Sequence, residues 1–186
     1  MKKRALANPV VVAIAGPIGS GKTTISRALA KQLECKHISF GDYFRQLAKE
    51  SGRDPTDRQL LQHLGARYVS LSPERLCRDL LRNANWSPKE GSLVIDGVRH
   101  KEILEALRKS VAPLPISLVY IRRDRVRSNS AAAQLGVENL ALFDTHSTEL
   151  QNDALRSAAD VVVSGDDDVL GVLKSILRST GVETKP

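Results

Sequence analysis

Residues 16–23 read Gly-Pro-Ile-Gly-Ser-Gly-Lys-Thr, directly after the apolar run 10–15 and directly before the helical spacing Ile25, Leu29, Leu33. A strand that runs into a glycine-rich turn opening a helix brings backbone N–H groups and the positive end of the helix dipole onto one anion. Gly16, Gly19 and Gly21 give the turn its freedom, and Ser20 and Thr24 belong to the same cradle. The pattern predicts a nucleoside triphosphate site in which Lys22 reaches the β- and γ-phosphates and the Thr23 hydroxyl holds Mg²⁺. Strand, motif and helix all agree, which separates this loop from an incidental glycine-rich turn.

The rest of the chain fits one α/β domain. Strand-like runs recur at 10–15, 36–39, 92–95, 116–121 and 159–163, each followed by helical spacing. Such alternation predicts a parallel sheet with helices on both faces, a three-layer arrangement with five strands. The runs 10–15 and 116–121 are apolar throughout, as strands covered on both sides must be. Between the second and third strands lies a helical insert, residues 41–84, too long for a plain crossover. It divides at Arg53-Asp54-Pro55-Thr56-Asp57 and at Ser70-Leu71-Ser72-Pro73-Glu74, both helix-start signals, so three or four helices are expected there. Leu60, Leu61, Leu64, Val69 and Leu71 are expected on one apolar face. At 186 residues no second core is needed, and residues 1–186 read as a single domain.

Composition narrows the partners. Apolar residues make up 41% with no uninterrupted run near membrane-spanning length, and the first residues lack a signal-peptide core, so a cytoplasmic protein is expected. Cys35 and Cys77 stand far apart without a C-x-x-C, which reads as structural free thiols. The net charge is +7, and 17 of the 28 basic residues are arginines spread over several loops. Arginine excess favours bidentate phosphate recognition. With only 4% aromatics, stacking platforms for single strands are scarce, so the basic charge points to a small polyanion rather than nucleic acid.

Two further clusters stand at strand ends, where open parallel sheets place ligands. The first is Ser39-Phe40-Gly41-Asp42-Tyr43-Phe44-Arg45, with Gly41 permitting a tight turn, Asp42 capping a helix and Arg45 one turn in. A capped surface helix would show the same residues. The second is Leu93-Val94-Ile95-Asp96-Gly97-Val98-Arg99, where an apolar strand ends in an acid able to reach Mg²⁺, directly or through water.

These motifs resemble the nucleoside monophosphate kinase group of the P-loop kinases: Gly-Asp-x-x-Arg at 41–45 is similar to the adenylate kinase Thr-Gly-Asp-x-x-Arg segment, and Asp-Gly-Val-Arg at 96–99 to its Asp-Gly-x-x-Arg segment. The resemblance implies ATP as donor, with Mg²⁺, and a small phosphorylated acceptor. By it Gly41, Asp42, Arg45 and Arg99 bind the acceptor, Asp96 organises Mg²⁺, and Asp42 orients or deprotonates the attacking oxygen. It makes the insert at 41–84 the acceptor-binding region. Arg122, Arg123, Arg125 and Arg127 follow the fourth strand, and in the resembling enzymes arginines from this region close over the transferring phosphoryl group. Arg123 and Arg127 would share a helical face and form the preferred pair of a short lid over 122–136, although four charges here also suit a solvated helix start. No extended lid and no zinc cysteines are visible, which moves the comparison toward cytidylate kinase, dephospho-CoA kinase and deoxynucleotide kinase-like proteins. Gly165 sits where these folds offer backbone to adenine, and it is equally a strand-to-helix turn residue.

Phe143-Asp144-Thr145-His146-Ser147-Thr148-Glu149 resembles a His-x-Ser/Thr-Glu segment of such proteins and is as natural a helix start, leaving the roles of His146 and Glu149 open. His37, His63 and His100 have no carboxylate or cysteine at ligand spacing, and Trp86 reads as loop packing. The reading is an ATP-dependent phosphotransferase acting on a nucleoside or deoxynucleoside monophosphate, as a monomer or homodimer. Dephospho-CoA kinase or another small-molecule kinase is the alternative within enzymes. A nucleotide-dependent switch or nucleic-acid-associated ATPase is the alternative of another class, disfavoured because Gly97 and Val98, not a glutamate, follow Asp96.

Overall fold

The computed structural model describes residues 9–122, 146–165 and 167–180. Five strands, β1 (Val11–Ala15), β2 (Lys36–Ser39), β3 (Leu93–Val98), β4 (Ile116–Arg122) and β5 (Val161–Ser164), pair in the order β2-β3-β1-β4-β5. Every pairing is parallel. The order reverses about β1, so the phosphate loop leaves the sheet at its topological switch point.

The described residues form seven α-helices between and after these strands: α1 (Lys22–Gln32), α2 (Phe40–Glu50), α3 (Arg58–Leu71), α4 (Pro73–Asn83), α5 (Lys101–Ser110), α6 (His146–Ser157) and α7 (Val169–Thr180). Two apolar layers result, one on each face of the sheet. Val12, Ile14, Val94, Val119 and Ile121 meet Ile25 and Leu29 of α1 and Val172 and Ile176 of α7. On the other face Val11, Ala13, Ile38, Ile95 and Leu118 meet α2, α4, α5 and Leu155 of α6. Burial of both β1 faces explains its unbroken apolar run, because alternate residues serve opposite layers.

The insert between β2 and β3 contains three helices. Asp57 caps α3 by accepting from Leu60 N, and Ser72 caps α4 by accepting from Arg75 N with Pro73 in the first turn. Both breaks therefore fall where the helix-start residues place them. The expected apolar stripe of α3 is only partly used. Leu61, Leu64, Tyr68 and Val69 pack on the core, with Tyr68 against the Phe44 ring, while Leu71 is 71% exposed. It lies in the last turn, beyond the stretch that α2 supports.

Two strand ends also differ from expectation. β3 continues past residue 95 to Val98, and β5 begins at Val161 and runs to Ser164. Gly97 makes the first extension possible: at φ +87° it forms a bulge, so Ile14 pairs with Asp96 and Ala15 with Val98. A polar strand end and a glycine look like a stop in the sequence, yet the neighbouring β1 backbone keeps the ladder going.

Candidate active site

The loop from Gly16 to Gly21 wraps the entry to α1. Gly16 (φ +141°), Gly19 (φ +76°) and Gly21 (φ +80°) all lie at positive φ, and Gly21 is the left-handed N-cap of α1. A side chain on Gly16 would meet the Ile121 carbonyl oxygen at 2.4 Å, so this position needs glycine for space as well as conformation. Gly165 closes the loop from the other side. A Cβ there would lie 2.3 Å from the Ser20 carbonyl oxygen, and its N–H donates to the Arg122 carbonyl at 2.7 Å. Gly165 therefore packs against the phosphate loop. Ser20 is fully buried, and Thr24 is exposed on the outer side of α1.

Lys22 is buried and donates to the Pro17 carbonyl, curling back over its own loop. Its pKa falls to about 7, first through burial and then through the charge of Arg99, with Asp96 opposing. Arg99, just beyond β3, therefore stands near both Lys22 and Asp96. It keeps an exposed surface, while the atoms packed around it lower its pKa and Asp96 raises it. A like-charged pair around one buried carboxylate leaves the site in want of an anion.

Asp96 is 3% exposed and pairs across the sheet with Ser39 on one side and Ile14 on the other. Its Oδ2 accepts from the Thr23 hydroxyl at 2.7 Å, and its Oδ1 has no partner among the described residues. An orphaned buried carboxylate oxygen beside a hydroxyl with free lone pairs is a hard-oxygen donor set of the kind Mg²⁺ takes, completed by water and phosphate. The residues present fit that ion. Among the described residues no cluster of three or more His, Cys, Asp or Glu offers a protein cage for a metal.

The Ser39–Arg45 cluster is built differently from expectation. Ser39, not Asp42, caps α2: its hydroxyl accepts from Asp42 N at 3.3 Å, and Asp42 sits three residues into the helix. Gly41 lies inside the first turn rather than in a tight turn, and a Cβ there would meet the Arg45 guanidinium at 3.5 Å. Asp42 and Arg45 form an ion pair at 2.5 Å, each about half exposed. Serine competes better for the N-cap here because the chain is still extended at Ser39 (φ −140°, ψ 131°).

His37, which has no carboxylate or cysteine at ligand spacing, makes its contact across to α1. It lines a cleft with Ser39, Asp42, Tyr43, Gln46 and Asn83, and its Nε2 lies 2.9 Å from the Ser26 hydroxyl of α1. Burial lowers its pKa, Asp96 and Asp42 raise it, and Arg27 lowers it. Alternation along Lys36-His37-Ile38-Ser39 was the available signal, since a core-facing Ile38 forces His37 to the opposite face. Trp86 is buried as loop packing, and Cys77 is a buried free thiol, as read. Arg123 and Arg127 lie outside the described residues, and α6 is described from His146, which puts Ser147, Thr148 and Glu149 inside the helix.

A family model described as an AAA domain matches residues 15–129, from the end of β1 through the strand carrying Asp96 and beyond β4. The chain belongs to this AAA-domain family. Among relatives, a cytidylate kinase of Pyrococcus horikoshii is 36% identical over 88 residues, 47% of this AAA-domain chain and 42% of that protein. A cytidylate kinase of Thermococcus kodakarensis is 40% identical over the same length, again covering 47% and 42%. The chain thus spans less than half the length of the curated relatives it matches. In fold it is similar to the shikimate kinase of Aquifex aeolicus, with TM-score 0.61, 18% identity, and 92% and 96% of the two chains covered. A tunicamycin resistance protein of Deinococcus radiodurans also superposes with TM-score 0.61 at 16% identity, covering 96% and 99%. The resemblance to P-loop kinases carried by the three motifs is met by these comparisons, and the fold described above is similar to that of the kinase structure.

Proposed function

We propose that the chain transfers the γ-phosphoryl group of ATP to a small phosphorylated acceptor, in the first place a nucleoside or deoxynucleoside monophosphate. The observation that carries this reading is the convergence of Lys22, Arg99 and Asp96 beside an anion-binding loop, two cations and one carboxylate at adjacent strand ends. Mg²⁺, held by Thr23 and Asp96, supplies charge neutralisation on the phosphates when bound. Gly16, Gly19, Ser20, Gly21, Lys22, Thr23 and Thr24 cradle the donor phosphates, and the turn at Gly165 borders the adenine side. Lys22 releases the Pro17 carbonyl and turns to phosphate oxygens, whose charge restores its proton at neutral pH.

On the acceptor side Arg99 grips the phosphate, with Arg45 and Asp42 parting to share the task. Asp42 orients the attacking oxygen. Phosphoryl transfer asks little covalent chemistry of the protein; what counts is an in-line pair of oxygens and compensation of charge on the transferred group. We assign residues 1–186 to one domain, 41–84 to acceptor binding and 122–136 to a short lid that brings Arg123 and Arg127 over the reaction. The cytidylate kinase relatives favour a pyrimidine nucleotide as the first acceptor to test. A coupled ADP-release assay over the nucleoside and deoxynucleoside monophosphates, with dephospho-CoA alongside, tests the proposal. Turnover with a monophosphate supports it, turnover with dephospho-CoA alone moves the acceptor class, and none with any acceptor overturns it.

A further inference from the structure

Helix α1 is fastened to the sheet at two points in its first turns, and only one of them belongs to the site described so far. Thr23 donates to Asp96 of β3. Three residues on, Ser26, fully buried, donates its hydroxyl proton to the Thr23 carbonyl at 3.1 Å and meets His37 Nε2 of β2 at 2.9 Å. A serine hydroxyl carries a single proton, and a carbonyl can only accept, so that proton belongs to Thr23. With that proton on the Thr23 carbonyl, His37 Nε2 is assigned as the donor to Ser26, the form protonated at Nε2. Because β2 and β3 are themselves paired, with His37 opposite Val94 and Ser39 opposite Asp96, the hydrogen bonds His37–Ser26–Thr23–Asp96 and the strand ladder together form a ring that ties two strands to one helix.

We infer that His37 is a positioning residue that, through Ser26, holds the Thr23 turn of α1 where its hydroxyl and Asp96 together receive the metal ion. The inference rests on the reading of Thr23 and Asp96 as the metal-holding pair. Serine in a helix that bonds back to a carbonyl one turn earlier pulls on that turn. Without a second donor, the buried Ser26 oxygen would have unsatisfied acceptor capacity and the turn would be free to relax. Apart from Thr23, the residues that cradle the phosphates, Gly16, Gly19, Ser20, Gly21, Lys22 and Thr24, stand outside this network. His37 should therefore affect the metal-dependent part of nucleotide binding and leave the metal-independent part alone.

The test is calorimetric titration of the full chain with the non-hydrolysable analogue AMP-PNP, with and without Mg²⁺, on wild type, His37→Ala, Ser26→Ala, the double variant and His37→Gln. His37→Ala is expected to weaken Mg·AMP-PNP binding about five- to tenfold, the size of one lost hydrogen bond, with metal-free binding unchanged. Ser26→Ala should match it, the double variant should be no worse than either, and His37→Gln, whose amide N–H can reach the same hydroxyl, should recover most of the loss. Equal loss with and without metal, additive losses in the double variant, or no rescue by glutamine would each overturn the inference while leaving the kinase reading intact. Should His37→Ala fail to fold, Ser26→Ala and His37→Gln decide the matter alone. Wild type failing to bind Mg·AMP-PNP at all overturns both.

Discussion

Gly165 provides the sharpest check on how the site is assembled. Its N–H is tied to the Arg122 carbonyl at 2.7 Å, so the β5–α7 turn cannot withdraw from β4, and a Cβ placed on it would stand 2.3 Å from the Ser20 carbonyl oxygen. Reaching an ordinary contact requires a shift of about 1 Å, and the phosphate loop must make it, because the Ile121 and Arg122 atoms on the other side are also within 3.4 Å. Overpacking of this kind costs about 1–3 kcal/mol. For a chain of this size that corresponds to a fall of roughly 2–12 °C in melting temperature. The larger effect is on nucleotide, since loop N–H groups displaced by about 1 Å lose charge-assisted hydrogen bonds of about 1.5–3 kcal/mol each, or about ten- to a hundredfold in ATP affinity. Gly91→Ala is the contrast: unlike Gly165 it lies at positive φ (+87°), and it has nothing within 4 Å of a Cβ, so it should cost about 1 kcal/mol of stability through backbone strain alone and no ATP affinity. Thermal melts and ATP titrations on both variants decide the question. Gly165→Ala binding ATP as tightly as Gly91→Ala does would refute the claim that this turn braces the loop.

Further outcomes are expected elsewhere in the site. Lys22→Ala should abolish turnover, read by ADP release, while the apo protein stays folded. Arg99→Ala should raise the acceptor KM or lower kcat by about ten- to a hundredfold without comparable loss of ATP binding, the loss of a charge-assisted contact; unchanged steady-state kinetics would remove Arg99 from the acceptor site. Ser39→Ala should destabilise by about 1 kcal/mol through loss of the α2 cap, visible as a lower denaturant midpoint at constant slope. In nucleotide-free protein Lys22 titrates near 7 against 10.5 in the unfolded chain. The unfolded state thus binds more protons across this window, so stability should rise with pH from about 7 toward 9, with Cys35 and Cys77 opposing only above their unfolded value of 9.0. Urea melts of wild type and Lys22→Met at pH 7 and 9 check the sign: the wild type should gain more than the variant, and bound ATP should erase the difference.

Much of the architecture was legible without coordinates because it rests on local rules. The unbroken apolar run at 10–15 could only be a strand covered on both faces, and the glycines and lysine after it could only serve an anion. Asp57, Ser72 and Pro73 announced their helix starts through capping chemistry that needs no distant partner. Where two residues competed for one local role the reading failed: Asp42 looks like a cap, but Ser39 stands one extended residue before the helix and takes the position. The end of β3 was missed for a tertiary reason, since the Gly97 bulge is kept in register only by β1 alongside.

The sequence alone settled the fold class, the place of the phosphate loop and the kind of ligand it invites, because periodicity, turn chemistry and charge act over a few neighbouring residues. Only the folded chain could decide that Asp96 reaches Thr23, that Arg99 crowds Lys22, that Gly165 supports Ser20 and that His37 meets Ser26. Those pairs are separated by 73, 77, 145 and 11 positions in the chain. No spacing rule links them; strand order and register bring them to one edge of the sheet, and the hydrogen bonds and fields that follow exist only once that edge has formed.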